Sequence, residues 1–356
     1  MSCVSSSSIS VLLNGGKLDP FFPSRAIRQG DPLSPYIFIM CMEFLSFLIH
    51  QSCGENLWNP VRASKNGPSF SHLFFVDDLF LFAKADHKNC QSIKDVLDTF
   101  CELSGQKVNL NKSKAYFSPN VNSGLRSDLC SVLGIDSIPN LGRYLGIPIK
   151  HPGSSTHDFD FVVERVQNKL AGCKANLLSM AGRVVLTQAV SSAIPSYVMQ
   201  RVVLPGITLK ALDRINRNFI WGTTAVKKRT HLVSWRKITC HKFKGGLGVM
   251  AAKPKNLALA TKLCWRFRSN PHELWAQVLK CKYLSSPSPR KHALSRTWTT
   301  ICKGDNIYTL DSRWIPGTNS AINFWFDKWL TQGPICNLIH GPFSSGEESF
   351  CINNIY

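Results

Sequence analysis

Residues 72–83 read HLFFVDDLFLFA and place two adjacent aspartates, Asp77 and Asp78, inside an apolar run. Four apolar residues stand directly before the pair and four stand directly after it. This pattern predicts two short strands joined by a hairpin, with both carboxylates at the turn. A hairpin turn usually takes Gly or Asn where φ is positive, so an Asp-Asp tip without Gly favours a chemical role over a purely geometric one.

Two interpretations of the carboxylate pair are open from this segment alone. Like charges in apolar surroundings repel each other and lose hydration, and a bound cation relieves both effects. Mg²⁺ is suited to the position because it prefers carboxylate oxygens and is often shared with substrate phosphates. The alternative is a solvated β-turn without a metal, because Asp is a common turn residue.

The most unusual feature of the overall composition is the net charge. The chain has 356 residues, a hydrophobic content of 44% and a formal net charge of +20. Its length allows two or three domains, and its charge predicts a polyanionic partner, nucleic acid first and an anionic membrane second. The longest apolar run, residues 36–49, contains Glu43 and is too short to span a bilayer, so we expect a buried helix there.

The cysteines argue against two classes of protein. Thirteen are scattered along the chain, an odd number, and no Cys-x-x-Cys occurs. This pattern disfavours a disulfide framework and a compact zinc site, and it is typical of reduced thiols in an intracellular protein. Residues 1–10 lack the basic and apolar segments of a signal peptide.

The first 150 residues predict a mixture of helices and antiparallel hairpins without a repeated βαβ pattern. Ile9, Val11 and Leu13 alternate along a strand, residues 14–16 supply a turn, and residues 21–22 lie on the return strand. A helix is predicted over residues 89–104 and strands over residues 107–110 and 144–149. The helix carries the apolar stripe Ile93, Val96, Leu97 and Phe100, and Gly105 follows it.

The chain becomes helical after a Pro-, Gly- and Ser-rich boundary at residues 151–156. Helices are predicted over residues 159–170, 177–190 and 209–220. The third has Leu212, Ile215 and Phe219 on its apolar side. Its opposite side carries Lys210, Arg214 and Arg217, a stripe that could follow a phosphate backbone or be an ordinary solvated face.

Residues 214–272 contain fourteen Lys and Arg and no Asp or Glu. They include Lys227, Lys228 and Arg229, and aromatic residues are interleaved with them. Because cations neutralise phosphates and rings stack on bases, we expect the charge to contact nucleic acid. Most of the tryptophans are expected in the core. Farther on, the aromatic-rich residues 322–330 predict a small strand-rich unit.

Several segments in this order resemble one family. They are RAIRQGDPLSPYIF (residues 25–38), the Asp77-Asp78 hairpin, SGQKVNLNKSK (104–114), LGRYLGIPI (141–149), WG (221–222), HLVSW (231–235), GGLGV (245–249) and residues 306–330. Together they resemble the reverse transcriptase region of plant non-LTR (LINE-type) retrotransposons.

The resemblance implies an α+β fold. Residues 1–150 would form a partial right-hand polymerase palm, an antiparallel sheet with helices. Residues 151–250 would form a helical, basic thumb, and residues 251–356 a small connecting region that precedes a ribonuclease H domain in the family.

The resemblance also implies roles for residues. Asp77 and Asp78 match the metal-binding aspartates that hold Mg²⁺ or Mn²⁺ for RNA-directed DNA polymerisation. Arg28, Gln29 and Gly30 match a segment that lines the incoming nucleotide and template. Lys112 matches a lysine near the nucleotide phosphates, although an ordinary surface lysine remains an alternative. For Arg28 and Asp31, a structural ion pair or loop cap is as plausible as substrate contact.

The family uses a third carboxylate on an earlier strand, and this chain departs from that pattern. Asp19 is the one acidic residue before Asp31, and its surroundings match the return strand of the first hairpin. We therefore expect a truncated chain without fingers, first catalytic strand or ribonuclease H domain. This leaves three hypotheses: an active RNA-directed DNA polymerase, an inactive remnant that still binds nucleic acid, and a pseudogene product that never folds stably.

The partners implied are an RNA template, a DNA primer and deoxynucleotides. No membrane partner is expected, and the sequence gives no evidence for a homo-oligomer. A nuclear location is an expectation from the resemblance, because the basic residues 227–229 are too few to be diagnostic.

Overall fold

The chain divides into two units. The computed structural model describes residues 8–22, 30–149, 155–171, 177–223, 227–285, 294–317, 322–344 and 346–352. Unit 1 comprises Met1–Leu145 and Gln277–Pro289, and unit 2 comprises Gly146–Ala276 and Arg290–Tyr356. The division into residues 1–150, 151–250 and 251–356 stays a prediction.

Unit 1 combines short strands with helices, and the protein is α+β as expected. The strands are β1 Leu12–Leu13, β2 Gly16–Lys17, β3 Val61–Arg62, β4 Ser69–Phe70, β5 His72–Phe75, β6 Asp78–Leu81, β7 Lys114–Ala115, β8 Asp136–Ser137 and β9 Arg143–Tyr144. The helices are α1 Ser34–Gly54, α2 His87–Ser104 and α3 Ser123–Leu133.

The predicted N-terminal hairpin is confirmed. Leu13 lies opposite Gly16 in the antiparallel β1–β2 pair, and Ile9 pairs with Phe21 farther along. Asn14 has φ +49° in the turn, the left-handed conformation that Asn tolerates better than most residues.

The core of unit 1 lies between α1 and α2. Leu45, Ile49, Trp58, Ile93 and Phe100 form one buried cluster. Helix α2 confirms its prediction, because its predicted apolar stripe packs in or against this cluster. The helix begins after Asp86, whose side chain accepts the backbone N–H of Asn89, and ends at Gly105 with φ +71°. Both ends therefore follow the ordinary rules for helix capping.

The prediction of a buried helix over residues 36–49 is wrong for its first half. Leu45 and Ile49 are buried, but Tyr36 and Met40 are 68% and 71% exposed. One face of the helix packs into the core cluster, and the described residues do not cover the rest.

At 21 residues, α1 is also longer than the predicted run. By length and composition it could cross a membrane, a test that core helices of soluble proteins also pass. The absence of a membrane partner stays a prediction.

Of two further strand predictions, one is wrong and the other is only partly right. Residues 107–110 form no strand, and Asn109 instead begins a turn in which its carbonyl accepts the backbone N–H of Lys112 and Ser113. Residues 144–149 are interrupted because Leu145 has φ +48°. Sequence reasoning also missed that β7 and β8 pair in parallel, with α3 between them in the chain.

Unit 2 is mainly helical. Its elements include β10 Ile147–Pro148, α4 Asp160–Ala171, α5 Met180–Leu186, a π-helical turn Thr187–Ser191, α6 Ser196–Met199, α7 Gly206–Trp221, α8 Trp235–Ile238, α9 Ala252–Ser269 and α11 Arg296–Asp311. Helix α10, Leu274–Tyr283, spans the sequence boundary at Ala276. The three predicted helices are confirmed as α4, α5 with its π turn, and α7.

A buried asparagine joins α9 to the loop before α7. Asn256 Oδ1 accepts the backbone N–H of Leu204, and its Nδ2 donates to the carbonyls of Met199 and Val202. Because all three partners are backbone groups, Asn256 satisfies polar atoms that would otherwise be buried without hydrogen bonds.

Helix α11 packs back onto the beginning of unit 2. Gly304 lets it approach α9, since a Cβ there would lie 2.3 Å from the carbonyl oxygen of Ala260. Thr300 Oγ1 accepts the backbone N–H of Val203 at 3.0 Å. Arg296 donates to the carbonyl of Pro148 at 3.0 Å and pairs with Asp158.

The prediction of a strand-rich unit around residues 322–330 is wrong. In the described part of that region, Asn323 pairs with Cys351 and Leu330 with Gly333 only as isolated bridges. The aromatic residues that suggested strands in the sequence instead pack on one another. Phe324 lies edge-on to Trp325, with 4.7 Å between the ring centroids, and Phe343 packs on Trp325 at 5.4 Å.

Candidate functional site

The predicted aspartate hairpin is confirmed. Strands β5 and β6 are antiparallel, with Phe75 opposite Asp78 and His72 opposite Leu81. Val76 and Asp77 form the two-residue turn, and Asp78 is the first residue of β6. The two carboxylates therefore lie at the tip of one rigid element.

The core holds this hairpin from one side. Phe74, Leu79 and Leu81 pack against the core cluster of unit 1. Trp58 Nε1 donates to the carbonyl of Phe82 at 2.9 Å, which fixes the chain directly after β6. Because side chains alternate along a strand, Asp78 lies on the face opposite the core.

The turn has an unusual backbone conformation. Val76 has φ +52°, in the left-handed region. A β-branched residue there is a genuine outlier, and such strain costs about 1–3 kcal/mol. The sequence suggested that this turn lacks the Gly suited to positive φ, and the structure shows the strain at Val76 instead of at either aspartate.

Both aspartates are exposed, and neither side chain makes a hydrogen bond or ion pair with any residue that the structure describes. Two exposed carboxylates that form no ion pair with the described residues fit a hard divalent cation, which prefers such oxygens. Within the described residues, no group of three or more His, Cys, Asp and Glu could hold a metal ion. The site thus offers two protein carboxylates.

The structure describes only part of the nucleotide-binding prediction. Arg28 and Gln29 lie outside the described residues. Gly30 has φ +89°, and no atom lies within 4 Å of where its Cβ would be. Asp31 Oδ1 accepts the backbone N–H of Leu33 at 2.8 Å, the contact that the loop-cap interpretation expects.

Lys112 lies on the exposed turn that begins at Asn109. Among the described residues its ammonium group forms no ion pair, and no hydrogen bond joins Lys112 or Gly30 to Asp77 or Asp78. Its predicted role near the nucleotide phosphates stays a prediction.

Only part of the basic stripe of α7 is exposed to solvent. Lys210 and Arg214 are exposed, but Arg217 is half-buried with its Nε out of contact with solvent. Burial raises the pKa of Asp213, while a hydrogen bond from the Ala252 N–H and the charge of Arg217 lower it. The charge of Arg217 therefore acts on Asp213 within unit 2, and a contact of Arg217 with nucleic acid stays a prediction.

The other predicted basic residues are exposed. Lys227, Lys228 and Arg229 lie on the surface of unit 2 after α7. The expectation that most tryptophans of this stretch are core residues is wrong, because Trp221 and Trp235 are half-buried and Trp265 is 52% exposed.

Sequence reasoning missed the environment of His72, the first residue of β5. The ring of His72 contacts Ser46 Oγ through Nε2 and Ser71 Oγ through Nδ1, both at 3.1 Å. Burial lowers the pKa of His72, the nearby His50 lowers it further, and Glu43 opposes the shift. Nothing in the local sequence marks this residue, since its environment comes from α1.

We expect the stability of unit 1 to fall on acidification. The folded state holds the pKa of His72 below its usual value of 6.5. Above that pH neither state is protonated at His72. Below it the unfolded chain binds more protons, so the free energy of unfolding decreases as the pH falls. Hydrogen exchange in His87–Ser104, measured at pH 7.5 and pH 5, would show faster opening at the lower pH.

The matched variants are His72→Gln, which should weaken this pH dependence, and His340→Gln at an exposed position, which should retain it. An unchanged pH dependence in His72→Gln would contradict the assignment.

Comparison with known proteins identifies a family whose matching range includes the aspartate hairpin. The family model for reverse transcriptase (RNA-dependent DNA polymerase) matches residues 2–149. The chain is 38% identical over 202 residues to a putative ribonuclease H protein of Arabidopsis thaliana, covering 55% of this chain and 33% of that protein. It is 31% identical over 146 residues to a retrovirus-related Pol polyprotein from a type-2 retrotransposable element of Drosophila melanogaster, covering 38% of this chain and 13% of the polyprotein.

A further relative is an uncharacterized mitochondrial protein of Arabidopsis thaliana, 45% identical over 67 residues, which are 19% of this chain and 55% of that protein. The chain thus spans a third and about half of the two Arabidopsis relatives it matches. Asp77 and Asp78 lie inside the range of the family model, and the resemblance to retrotransposon proteins is confirmed. Over residues 2–149 the chain matches the reverse transcriptase family model, and it is similar to a retrotransposon Pol polyprotein.

Proposed function

We propose that unit 1 carries out template-directed nucleotidyl transfer, the synthesis of DNA on an RNA template, with Asp77 and Asp78 as its metal-holding residues. The observation that carries the proposal is the pair of exposed carboxylates, without protein partners among the described residues, at the tip of a core-anchored hairpin. Carboxylates placed in this way are available to divalent cations, which would in turn bind substrate phosphates.

The chain's own residues would act by position and charge. Asp77 and Asp78 would hold Mg²⁺ or Mn²⁺ where a primer 3′-hydroxyl attacks the α-phosphate of a deoxynucleotide and pyrophosphate leaves. The bound ions would supply stabilisation of the attacking and leaving oxygens. Gly30, with Arg28 and Gln29, would line the nucleotide and template. Lys112 would neutralise phosphate charge.

Unit 2 is proposed to bind nucleic acid through its basic surface. Residues 214–272 carry fourteen Lys and Arg without an acidic residue, and Lys210 precedes them on α7. Arg214 and residues 227–229 are exposed, whereas Arg217 contributes less because it is half-buried. Because phosphate contacts release counterions, this binding should weaken steeply with salt.

A second candidate is nucleic-acid binding without polymerisation. It is favoured by the absence, among the described residues, of a third metal-binding side chain beside the two aspartates. A two-metal site needs enough ligands to fix both ions, so a pair alone would hold them weakly.

A primer-extension assay tests the proposal. The full chain is incubated with an RNA template, an annealed DNA primer, deoxynucleotides and Mg²⁺ or Mn²⁺. We expect incorporation that depends on the template and is abolished by a chelator. Binding of the same hybrid is measured at 50 and 200 mM salt in parallel.

The outcomes separate the two candidates. Salt-dependent binding without incorporation would support the binding function and contradict polymerisation. Neither binding at low salt nor incorporation would contradict both.

A further inference from the structure

The most exposed aromatic side chain described in the structure lies on a short turn of unit 2. Phe243 is 95% exposed, at the centre of the 3₁₀ turn Lys242–Lys244. A single exposed apolar residue is ordinary in itself. Here the ring is flanked on both sides by an exposed lysine, in the stretch that lacks acidic residues.

The turn is held rigidly by backbone hydrogen bonds. The N–H of Lys244 donates to the carbonyl of His241 at 2.8 Å, and that of Gly245 donates to the carbonyl of Lys242 at 3.0 Å. The base of the loop is closed where Leu247 N–H donates to the carbonyl of Ile238 at 2.9 Å. Phe243 is therefore presented by an ordered element, which reduces the entropy lost when a ligand binds it.

Two glycines allow the loop to close this tightly. A Cβ on Gly246 would lie 1.7 Å from the carbonyl oxygen of Cys240. A Cβ on Gly248 would lie 2.5 Å from Cε of Lys242, so the aliphatic stem of that lysine rests on the glycine. Gln188 Nε2 also donates to the carbonyl of Leu247 at 2.7 Å, which ties the loop to the π-helical turn.

Among the described residues, the ring of Phe243 packs against one other ring, that of His241. The ring of His241 lies 5.0 Å away at 35°. The high exposure of Phe243 shows that its remaining surface is open to solvent. An exposed aromatic ring with an exposed lysine on each side in the sequence suits a nucleic-acid base with a phosphate on each side.

We propose that Phe243 stacks on an unpaired base of a single-stranded nucleic acid while Lys242 and Lys244 contact the flanking phosphates. The proposal rests on the nucleic-acid binding proposed for unit 2 and adds a preference for unpaired strands. Charge complementarity favours this ligand, because residues 214–272 contain cations without a compensating acid.

The test measures binding of the full chain to a single-stranded oligonucleotide containing 2-aminopurine and to a duplex of the same length. Phe243→Ala should weaken binding to the single strand about tenfold, the loss of one base-stacking contact. It should leave duplex binding and the salt dependence unchanged, because no charge is removed. The quenching of 2-aminopurine on binding should decrease in this variant.

Two controls distinguish stacking from a general loss of structure. Phe243→Trp keeps an aromatic face and should retain single-strand binding. Trp314→Ala removes another exposed aromatic residue of unit 2, outside the basic stretch, and should have no effect. Lys242→Ala with Lys244→Ala should make the slope of log affinity against log salt shallower by about 0.7 for each phosphate that is no longer neutralised.

Three results would overturn the proposal: an unchanged single-strand affinity in Phe243→Ala, an equal loss for single strand and duplex, or a Phe243-dependent association with phosphatidylserine vesicles in place of oligonucleotides. If the wild-type chain binds no nucleic acid at low salt, the nucleic-acid function proposed for unit 2 fails first.

Discussion

Asp77→Asn and Asp78→Asn are each expected to reduce primer extension by about a thousandfold or more. Asparagine has the same shape but removes the charge that would hold a divalent cation. A thousandfold loss corresponds to about 4 kcal/mol of transition-state stabilisation, a reasonable share of what metal-ion catalysis supplies. Initial rates of deoxynucleotide incorporation at saturating template–primer measure the effect.

The fold should tolerate both substitutions. Each side chain is exposed and makes no hydrogen bond or ion pair with the described residues, so the free energy of unfolding should change by less than about 0.5 kcal/mol. Asp128→Asn, at an exposed position on α3, is the matched control and should retain full activity. If both hairpin variants polymerise at the wild-type rate, the assignment of these carboxylates is wrong.

Trp58→Ala should destabilise unit 1 by about 3–5 kcal/mol, the range for truncating a large buried aromatic residue. Trp58 is fully buried within the core cluster, and its indole N–H donates to the carbonyl of Phe82. The substitution leaves a cavity and an unsatisfied carbonyl next to the aspartate hairpin. Hydrogen exchange of His87–Ser104 reports the opening of unit 1 directly.

The neighbouring residue provides the matched control. Leu57 is 42% exposed, and Leu57→Ala should cost about 1 kcal/mol or less. Exchange in Ala252–Ser269 of unit 2 serves as an internal reference. A loss below about 1 kcal/mol in Trp58→Ala would show that this cluster is not the stabilising core of unit 1.

Elements with a strong local pattern were predictable from the sequence. The aspartate hairpin follows from alternating apolar residues around a polar turn. Helix α2 follows from its apolar stripe and from Gly105 at its end. Each signal lies within the element itself and needs no information about its neighbours.

The errors arise where distant residues decide the structure. Nothing in the composition of α1 shows that Tyr36 and Met40 are exposed to solvent while Leu45 is buried. The β7–β8 pair joins residues separated by a helix, so its parallel pairing is invisible to local reasoning. In residues 322–330 the aromatic rings pack on one another around turns, which imitates a strand pattern.

The same division holds for the candidate site. Asp77 and Asp78 were predictable because residue type and position in the turn are both local. The environment of His72 depends on Ser46 in α1, and the exposure of Phe243 depends on the hydrogen bonds that shape its loop. The sequence supplied the identity of Phe243 but not the information that its ring remains uncovered.

The packing of α11 onto the start of unit 2 sets an order of assembly. Arg296 reaches the carbonyl of Pro148 across 148 residues of sequence, and Thr300 reaches Val203 across 97. Such distant contacts carry a large loop-closure entropy and slow folding. On the ribosome, the earlier helices emerge with these partners still missing. Unit 2 can therefore complete its interior only after residue 311 has left the exit tunnel.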